Sequence, residues 1–416
     1  MHTFSRSLAF FGMMITFPAL AADDWPQFRG PARDDISSDK GLLKEWPKDG
    51  PTLAWKCEGL GAGFSSVSLV GNRIYTMGDL KDSSYVFAID RDKGTIVWKQ
   101  TVGKTGGNYA GTRCTPSIDG DSVYALGQFG DFVCLDTADG TERWRKNFGK
   151  DYKGSSGGWN YTESPLIDGD KVLVTPGGPE SAMLALNKKT GEVIWKGVLP
   201  SGEKAGYSSI IAADIDGTRQ YIQLFSNGLA SFSADKGELL WRYGTDNKHF
   251  GGNTANIPTP IVKGNQVFAT AGYGRGGALL TISSSGGKFD VKEEYWSNSL
   301  NSRHGGVVLV GDFVYGDRDD SGKFWCADFA TGKIKWTATE IASGKQSIAP
   351  TYADGLLYIR HQNGWVSLLN PENGKEISTF KIPNGKGNCW AHPVVVGGKM
   401  YIRELDTLWV YDVKSK

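Results

Sequence analysis

The chain has 416 residues, among them 56 glycines and 14 tryptophans, and a formal net charge of +1. A balance this close to neutral offers no field that would gather nucleic acid. Glycine and aromatics at this density favour many short strands and tight turns over long helices.

The first residues carry a targeting pattern. Arg6 gives a positive start, Leu8 to Phe17 form an apolar run too short to span a bilayer, and Ala19-Leu20-Ala21 fits a small-residue cleavage site. The pattern predicts a signal peptide over residues 1–21, cut after Ala21, and a protein delivered to the periplasm or secreted. No Cys follows the cut, so lipid attachment is not expected. No later stretch approaches the ~18 apolar residues of a transmembrane helix.

Residues 22–52 read as an extension that opens with "DWPQFRGP". Its aromatics Trp25, Phe28 and Trp46 predict packing against the flank of the following domain rather than disorder.

From residue 53 the chain repeats. Eight hairpin signals of the type Asp-Gly-Asp or Gly-Asn begin at Val70, Asp119, Asp168, Asp216, Lys263, Val310, Asp354 and Gly397. Gly, Asn and Asp tolerate the positive φ that such turns need, and alternating apolar residues flank each one. Between them recurs a Gly-x-x-x-Trp motif, ending at Trp98, Trp144, Trp195, Trp241 and Trp336. A weaker copy runs from Gly287 to Trp296, and another, at Asn373-Gly374, has Ser378 where Trp is expected. Each unit reads as four antiparallel strands. A period of roughly 40–50 residues with this content predicts an all-β, eight-bladed β-propeller over residues 53–416. The eighth unit stops at "TLWVYDVKSK" without a Trp strand. "LAWKCEG" supplies it, with Trp55 in the docking place, and the first strand thereby closes the ring and hides its edges. A tryptophan repeated around a whole ring cannot mark one central site, so the motif is structural.

The five cysteines are Cys57, Cys114, Cys134, Cys326 and Cys389. They are odd in number, so they cannot all pair internally. None has haem-attachment or zinc spacing. Cys134 and Cys326 occupy the same place in two repeats and mark a buried small apolar position.

The pattern Ala185-x-Asn187-x-x-Thr190-Gly191-x-x-x-Trp195 resembles the tryptophan-docking repeat of dehydrogenases that use pyrroloquinoline quinone (PQQ), and of the scaffold BamB. "WPQFRGP", "HGGVVLVGDFVYG" and "WAHPVVVGGKMYIRELDTLWVYD" resemble a family of secreted PQQ-like repeat propellers. The resemblance covers nearly all of residues 53–416. It implies the quinoprotein alcohol dehydrogenase-like, BamB-like fold. It also implies two functions. One is a scaffold that binds a partner protein. The other is a small quinoprotein that oxidises an alcohol or sugar with PQQ and calcium. The chain departs from both sources. Quinoprotein alcohol dehydrogenases set a vicinal Cys pair against the quinone, and no two cysteines here are adjacent. BamB carries a lipobox cysteine that this leader lacks.

In a propeller, the residues just before each innermost strand line the mouth of the central channel. Here most are small. Arg113 brings a fork of donors for a carboxylate or phosphate. His304 and His392 could act as acid, base or ligand. Trp390 offers a stacking face. "GGWNYTES" places Trp159 and Glu163 on the approach to blade three. The candidate ligand site is therefore Arg113, Trp159, Glu163, His304, Trp390 and His392. No residue is singled out as catalytic or as a metal ligand. In the dehydrogenase reading Glu163 would hold the calcium, Arg113 would pair a quinone carboxylate and Trp390 would stack on the quinone. The runs "RDDSG" (Arg318 to Gly322) and "PENGK" (Pro371 to Lys375) read as solvated turns. The leading expectation is an exported, monomeric scaffold. Its channel mouth binds a partner protein or a small polar or carbohydrate ligand, in cell-envelope assembly.

Overall fold

Eight antiparallel four-stranded sheets follow one another along the chain, with innermost strands that begin at Ser68, Ser117, Leu166, Ile211, Ile261, Val307, Ile348 and Val394. This arrangement, an eight-bladed β-propeller, comes from a computed structural model. It describes residues 23–415 apart from 110, 254, 340, 342–345, 384, 386 and 387. The signal peptide expected over residues 1–21 lies outside the described residues. Blade eight takes its outer strand, Thr52–Cys57, from the front of the chain and pairs it with Thr407–Asp412.

Every outer strand carries a register shift just before the docking position, as between Ile96 and Trp98 or between Leu53 and Trp55. The bulge turns the next side chain toward the neighbouring blade. Trp55, Trp98, Trp144, Trp195 and Trp336 then lie flat over Gly94, Gly140, Gly191, Gly237 and Gly374. Only glycine fits beneath them. At Gly237, where φ is +69°, a Cβ would fall 2.3 Å from the Trp195 ring. The indole N–H groups of Trp98, Trp144, Trp195 and Trp336 donate to the carbonyls of Thr137, Lys188, Ala234 and Pro371.

Three places depart from the expected series. In blade five the residue after the bulge is Tyr295, not Trp296. Tyr295 covers Gly332 and donates to the Phe329 carbonyl, while Trp296 turns to the Arg275 carbonyl. In blade four Trp241 holds the expected register, but it faces an extended hairpin, Gly276–Ser285 and Lys288–Ser297, whose turn glycines lie clear of it. Its indole donates to Gln220 Oε1 within its own blade. In blade seven the docking position is Ser378, and Trp46 of the extension fills the vacancy.

The extension does more than cover a flank. Trp25 bridges to Leu69 of blade one, and the Pro26 carbonyl accepts from Ile118 of blade two. Arg33 donates to the Ser164 and Pro165 carbonyls beside blade three. Arg29 donates to the Val307 carbonyl of blade six, and Ile36 and Ser37 pair in parallel with blade seven. One short segment can reach innermost strands on opposite sides of the ring only by crossing the axis. Trp25 and Phe28 thus belong to a strap across the channel, and Trp46 alone packs on the flank. The strap coils tightly, with positive φ at Arg29, Gly30, Arg33 and Asp35.

Candidate functional site

The residues before each innermost strand are held by a belt of hydroxyls. The Ser66 N–H donates to Thr115, Thr115 to Ser164, Ser164 to Ser209 and Ser209 to Thr259, each one blade further on. This belt explains why small hydroxyl residues recur there. It stops at blade six, where Gly306 has positive φ and the Arg29 guanidinium lies close.

Above the belt is a cavity of ≈ 340 Å³ at the channel mouth. Arg113, Trp159, His304, Trp390 and His392 all line it, and Glu163 does not. Side chains alternate along an extended segment. Thr162 and Ser164 face the cavity, so Glu163 points into the blade and is only 2% exposed. It accepts the Thr175 N–H. Burial pushes its carboxyl up to about 7, against the opposing pull of Thr175 and Arg33.

Trp390 sits at the centre of an aromatic stack. His304 lies over it at 4.4 Å and 17°, and Phe64 at 4.5 Å and 35°. Two rings so near one centroid occupy opposite faces. Trp390 therefore presents its edges, and Tyr109 meets it edge-on at 5.5 Å. The same tyrosine meets Trp159 at 5.5 Å and bridges the rim from blade eight to blade three. Tyr109 is half exposed and holds a positive φ.

Arg113 is already committed. It donates to Gln128 Oε1 and to the carbonyls of Asn108 and Tyr109, and its guanidinium lies over Phe64. It holds the Tyr109 loop in place. Gln128 passes the contact on to Asp79, which also receives Ser84 and Thr105.

His304 Nδ1 lies 2.9 Å from Ser347 Oγ and 3.4 Å from Asp320. Asp320 also pairs with Arg303, and Arg303 reaches Asp319 at 3.1 Å. Burial would raise Asp320, but His304, Ser347 and Arg303 together hold it below the usual carboxylate range. The run Arg318 to Gly322 is therefore not a solvated turn. Asp320 forms part of the wall of the mouth, and Arg303 from another loop pairs with both it and Asp319. Below them, burial pushes Asp317 up to about 7. His392 is tied from beneath. Its Nδ1 lies 2.9 Å from Asp35 Oδ2, the atom that also pairs with Arg29, and Phe28 packs edge-on against it. Tyr207, Tyr273, Gln362 and Asn388 also line the cavity, as do the apolar Ala255, Ile257 and Pro258.

The family described as outer membrane protein assembly factor BamB matches residues 82–338. The chain belongs to that family. Among individual relatives, the outer membrane protein assembly factor BamB of Shewanella oneidensis is 20% identical over 362 residues, which cover 74% of this chain and 86% of that protein. The tetrathionate hydrolase of Acidithiobacillus ferrooxidans is 23% identical over 331 residues, covering 76% of this chain and 53% of the hydrolase. The BamB-family chain thus spans about half of that enzyme. The crystal structure of quinohemoprotein alcohol dehydrogenase from Comamonas testosteroni superposes with a TM-score of 0.66 over 95% of this chain and 81% of that one, at 14% identity. That likeness is one of fold. Relatives of this BamB-family propeller therefore include enzymes as well as assembly factors.

The mouth does not fit PQQ and calcium in the arrangement the sequence suggested. Both faces of Trp390 are covered, Arg113 is turned to Gln128 and the Tyr109 loop, and Glu163 points away. Among the described residues no group of three His, Cys, Asp or Glu side chains could hold a metal ion. All five cysteines are buried and unpaired, and none lines the cavity. Among the described residues no helix is long and apolar enough to cross a membrane.

Proposed function

We propose that this protein is a cell-envelope scaffold that binds a partner or ligand at its channel mouth. One observation carries the reading. The mouth is a preformed cavity whose arginines and central tryptophan are already engaged by its own residues, as suits a rigid recognition surface. Membership of the BamB family supports an assembly role and a location in the envelope. The quinoprotein alternative rests on fold, which does not imply function, and on a sequence likeness that spans 46% of a quinohemoprotein alcohol dehydrogenase.

Calorimetric titration with PQQ and calcium tests the choice directly. No saturable heat is expected. One-to-one binding that disappears in Trp390→Ala would overturn the scaffold reading in favour of a quinoprotein. In parallel, cross-linking in intact cells should capture a partner whose yield falls in Trp159→Ala.

A further inference from the structure

We infer that the mouth binds a neutral saccharide unit, a conclusion that rests on the mouth being the binding surface. Charge decides the first part. Arg29, Arg113 and Arg303 all line the cavity. Arg29 is paired with Asp35 and Arg303 with Asp319 and Asp320, while Arg113 gives three of its N–H groups to Gln128 and two carbonyls and has Asp79, behind Gln128, as its opposite charge. The carboxylate on the wall, Asp320, is held by Arg303, Ser347 and His304. An anionic ligand would have to compete with a carboxylate already set against each arginine, and a cation with the arginine already set against Asp320. Arg29–Asp35 is fully buried and the Arg303 pairs are partly so, and separating such a pair leaves one charge uncompensated. The cavity thus selects a ligand without formal charge.

Shape and polarity decide the second part. His304 and Phe64 cover Trp390, so the aromatic surface left for a ligand comes from the rim, from the corner between Tyr109 and Trp159, whose planes meet at 61°, and from the exposed ring of Tyr273. The same cavity is lined by the amides of Gln362 and Asn388, joined at 2.8 Å, by Tyr273, and by Tyr207, whose hydroxyl accepts the Trp159 backbone N–H. A neutral pyranose offers both matching aspects. Its C–H face packs on an aromatic ring, and its hydroxyls both donate and accept, as amides require. The cavity volume of ≈ 340 Å³ lies near the lower bound for small-molecule sites, which suits one or two sugar rings.

The full chain, exported and purified, should be screened on an array of neutral and acidic oligosaccharides. The best neutral glycan should then be titrated by calorimetry. Neutral glycans should be retained, and the same glycan carrying a uronic acid should not. Trp159→Ala and Tyr109→Ala should each weaken binding by about tenfold, the scale of a lost aromatic contact. The half-exposed Tyr109 keeps the test valid if Trp159→Ala fails to fold. Retention of acidic glycans only, retention of none, or binding indifferent to both substitutions would overturn the inference. If no glycan binds while a cross-linked partner protein is still lost in Trp159→Ala, the saccharide assignment falls and the mouth remains the binding surface. If neither is found, both readings fall.

Discussion

Trp46, from the segment ahead of the propeller, packs on Tyr358 of blade seven with ring centroids 5.7 Å apart and planes at 56°. Trp98 meets Tyr75 at 5.9 Å and 52°, and Trp336 meets Tyr315 at 5.9 Å and 48°, each within one blade. Trp46 is therefore the docking tryptophan of blade seven, supplied from outside the blade. The residue in the docking register, Ser378, accepts a hydrogen bond from the Trp46 backbone N–H at 3.0 Å.

Loss of the ring should open the seam between blades seven and eight. Trp46→Ala should cost about 3–5 kcal/mol, as for other large buried aromatics. Trp46→Phe separates packing from hydrogen bonding. The Trp46 indole N–H is buried without a partner, whereas that of Trp195 donates to the Ala234 carbonyl. Trp46→Phe should therefore cost less than Trp195→Phe, by about the 1 kcal/mol of a net hydrogen bond. Urea denaturation of the three variants checks both statements, and equal costs for the two Phe variants would contradict the hydrogen-bond argument.

Blade five sets Tyr295 against its neighbour Trp296. Tyr295 covers Gly332 and bonds the Phe329 carbonyl, so Tyr295→Ala removes an inter-blade contact. Trp296→Ala removes a ring that packs beside His249, with Lys248 over its face. Tyr295→Ala should cost about 3 kcal/mol or more, and Trp296→Ala clearly less. The reverse order in thermal melts would return Trp296 to the docking series.

The blade count and the ring closure were legible because they rest on periodic signals. Hairpin residues and the docking Trp recur at fixed offsets, and Trp55 could be matched to the missing place in the last blade. The mouth was partly legible for the same reason, since Arg113, His304, Trp390 and His392 precede innermost strands. What could not be read is aperiodic. Tyr109, Tyr273 and Asp320 come from loops of unequal length. Arg29 reaches its partner from 278 positions away. Nothing local to Arg318–Gly322 announces that Arg303 neutralises it. Glu163 was misplaced by the alternation of neighbouring side chains. Trp296 was misplaced by one residue of β-bulge. The aromatic content of the extension pointed to packing on the flank, whereas the axis crossing depends on contacts with separate blades that no local signal announces.

Stability should fall as pH rises from 4.5 to about 7. Burial raises the Glu163 carboxyl from 4.5 to about 7 in the folded protein. Between those values the folded state keeps a proton that the unfolded chain has released. The stabilisation is complete below the unfolded value, is lost as pH climbs toward 7 and stays lost above it. The full span is on the order of 3 kcal/mol. Glu163→Gln keeps an acceptor for Thr175 and carries no charge, so it should flatten this slope and melt above wild type at pH 8. Near pH 5 the two should melt together. Asp317, also pushed up to about 7 by burial, contributes in the same direction, so Asp317→Asn should remove the remainder. Parallel melting curves at all pH values would mean that Glu163 is not buried as described.

The strap across the axis is held by a charge network that leaves little room for substitution. Asp35 is 2% exposed and its Oδ2 lies 2.9 Å from both Arg29 Nε and His392 Nδ1. Asp35→Ala would strand the Arg29 guanidinium, itself 2% exposed, without its counter-ion in the channel. Breaking a buried pair from one side costs about 3–5 kcal/mol, more than surface pairs contribute. The outer ring need not unfold, because the blades hold one another through the docking residues. The strap should instead detach locally, since local opening requires only part of the global free energy. Limited proteolysis should therefore cut Asp35→Ala between residues 23 and 46, at a protease concentration that spares wild type. Lys56→Ala, which breaks an exposed pair with Glu58 on the outer strand, should leave the strap protected. Detachment would also expose His392 and Phe28 on the cavity floor. Chemical modification of His392 by diethyl pyrocarbonate should therefore quicken in Asp35→Ala together with the cleavage, and cleavage without faster modification would mean that the strap does not floor the cavity.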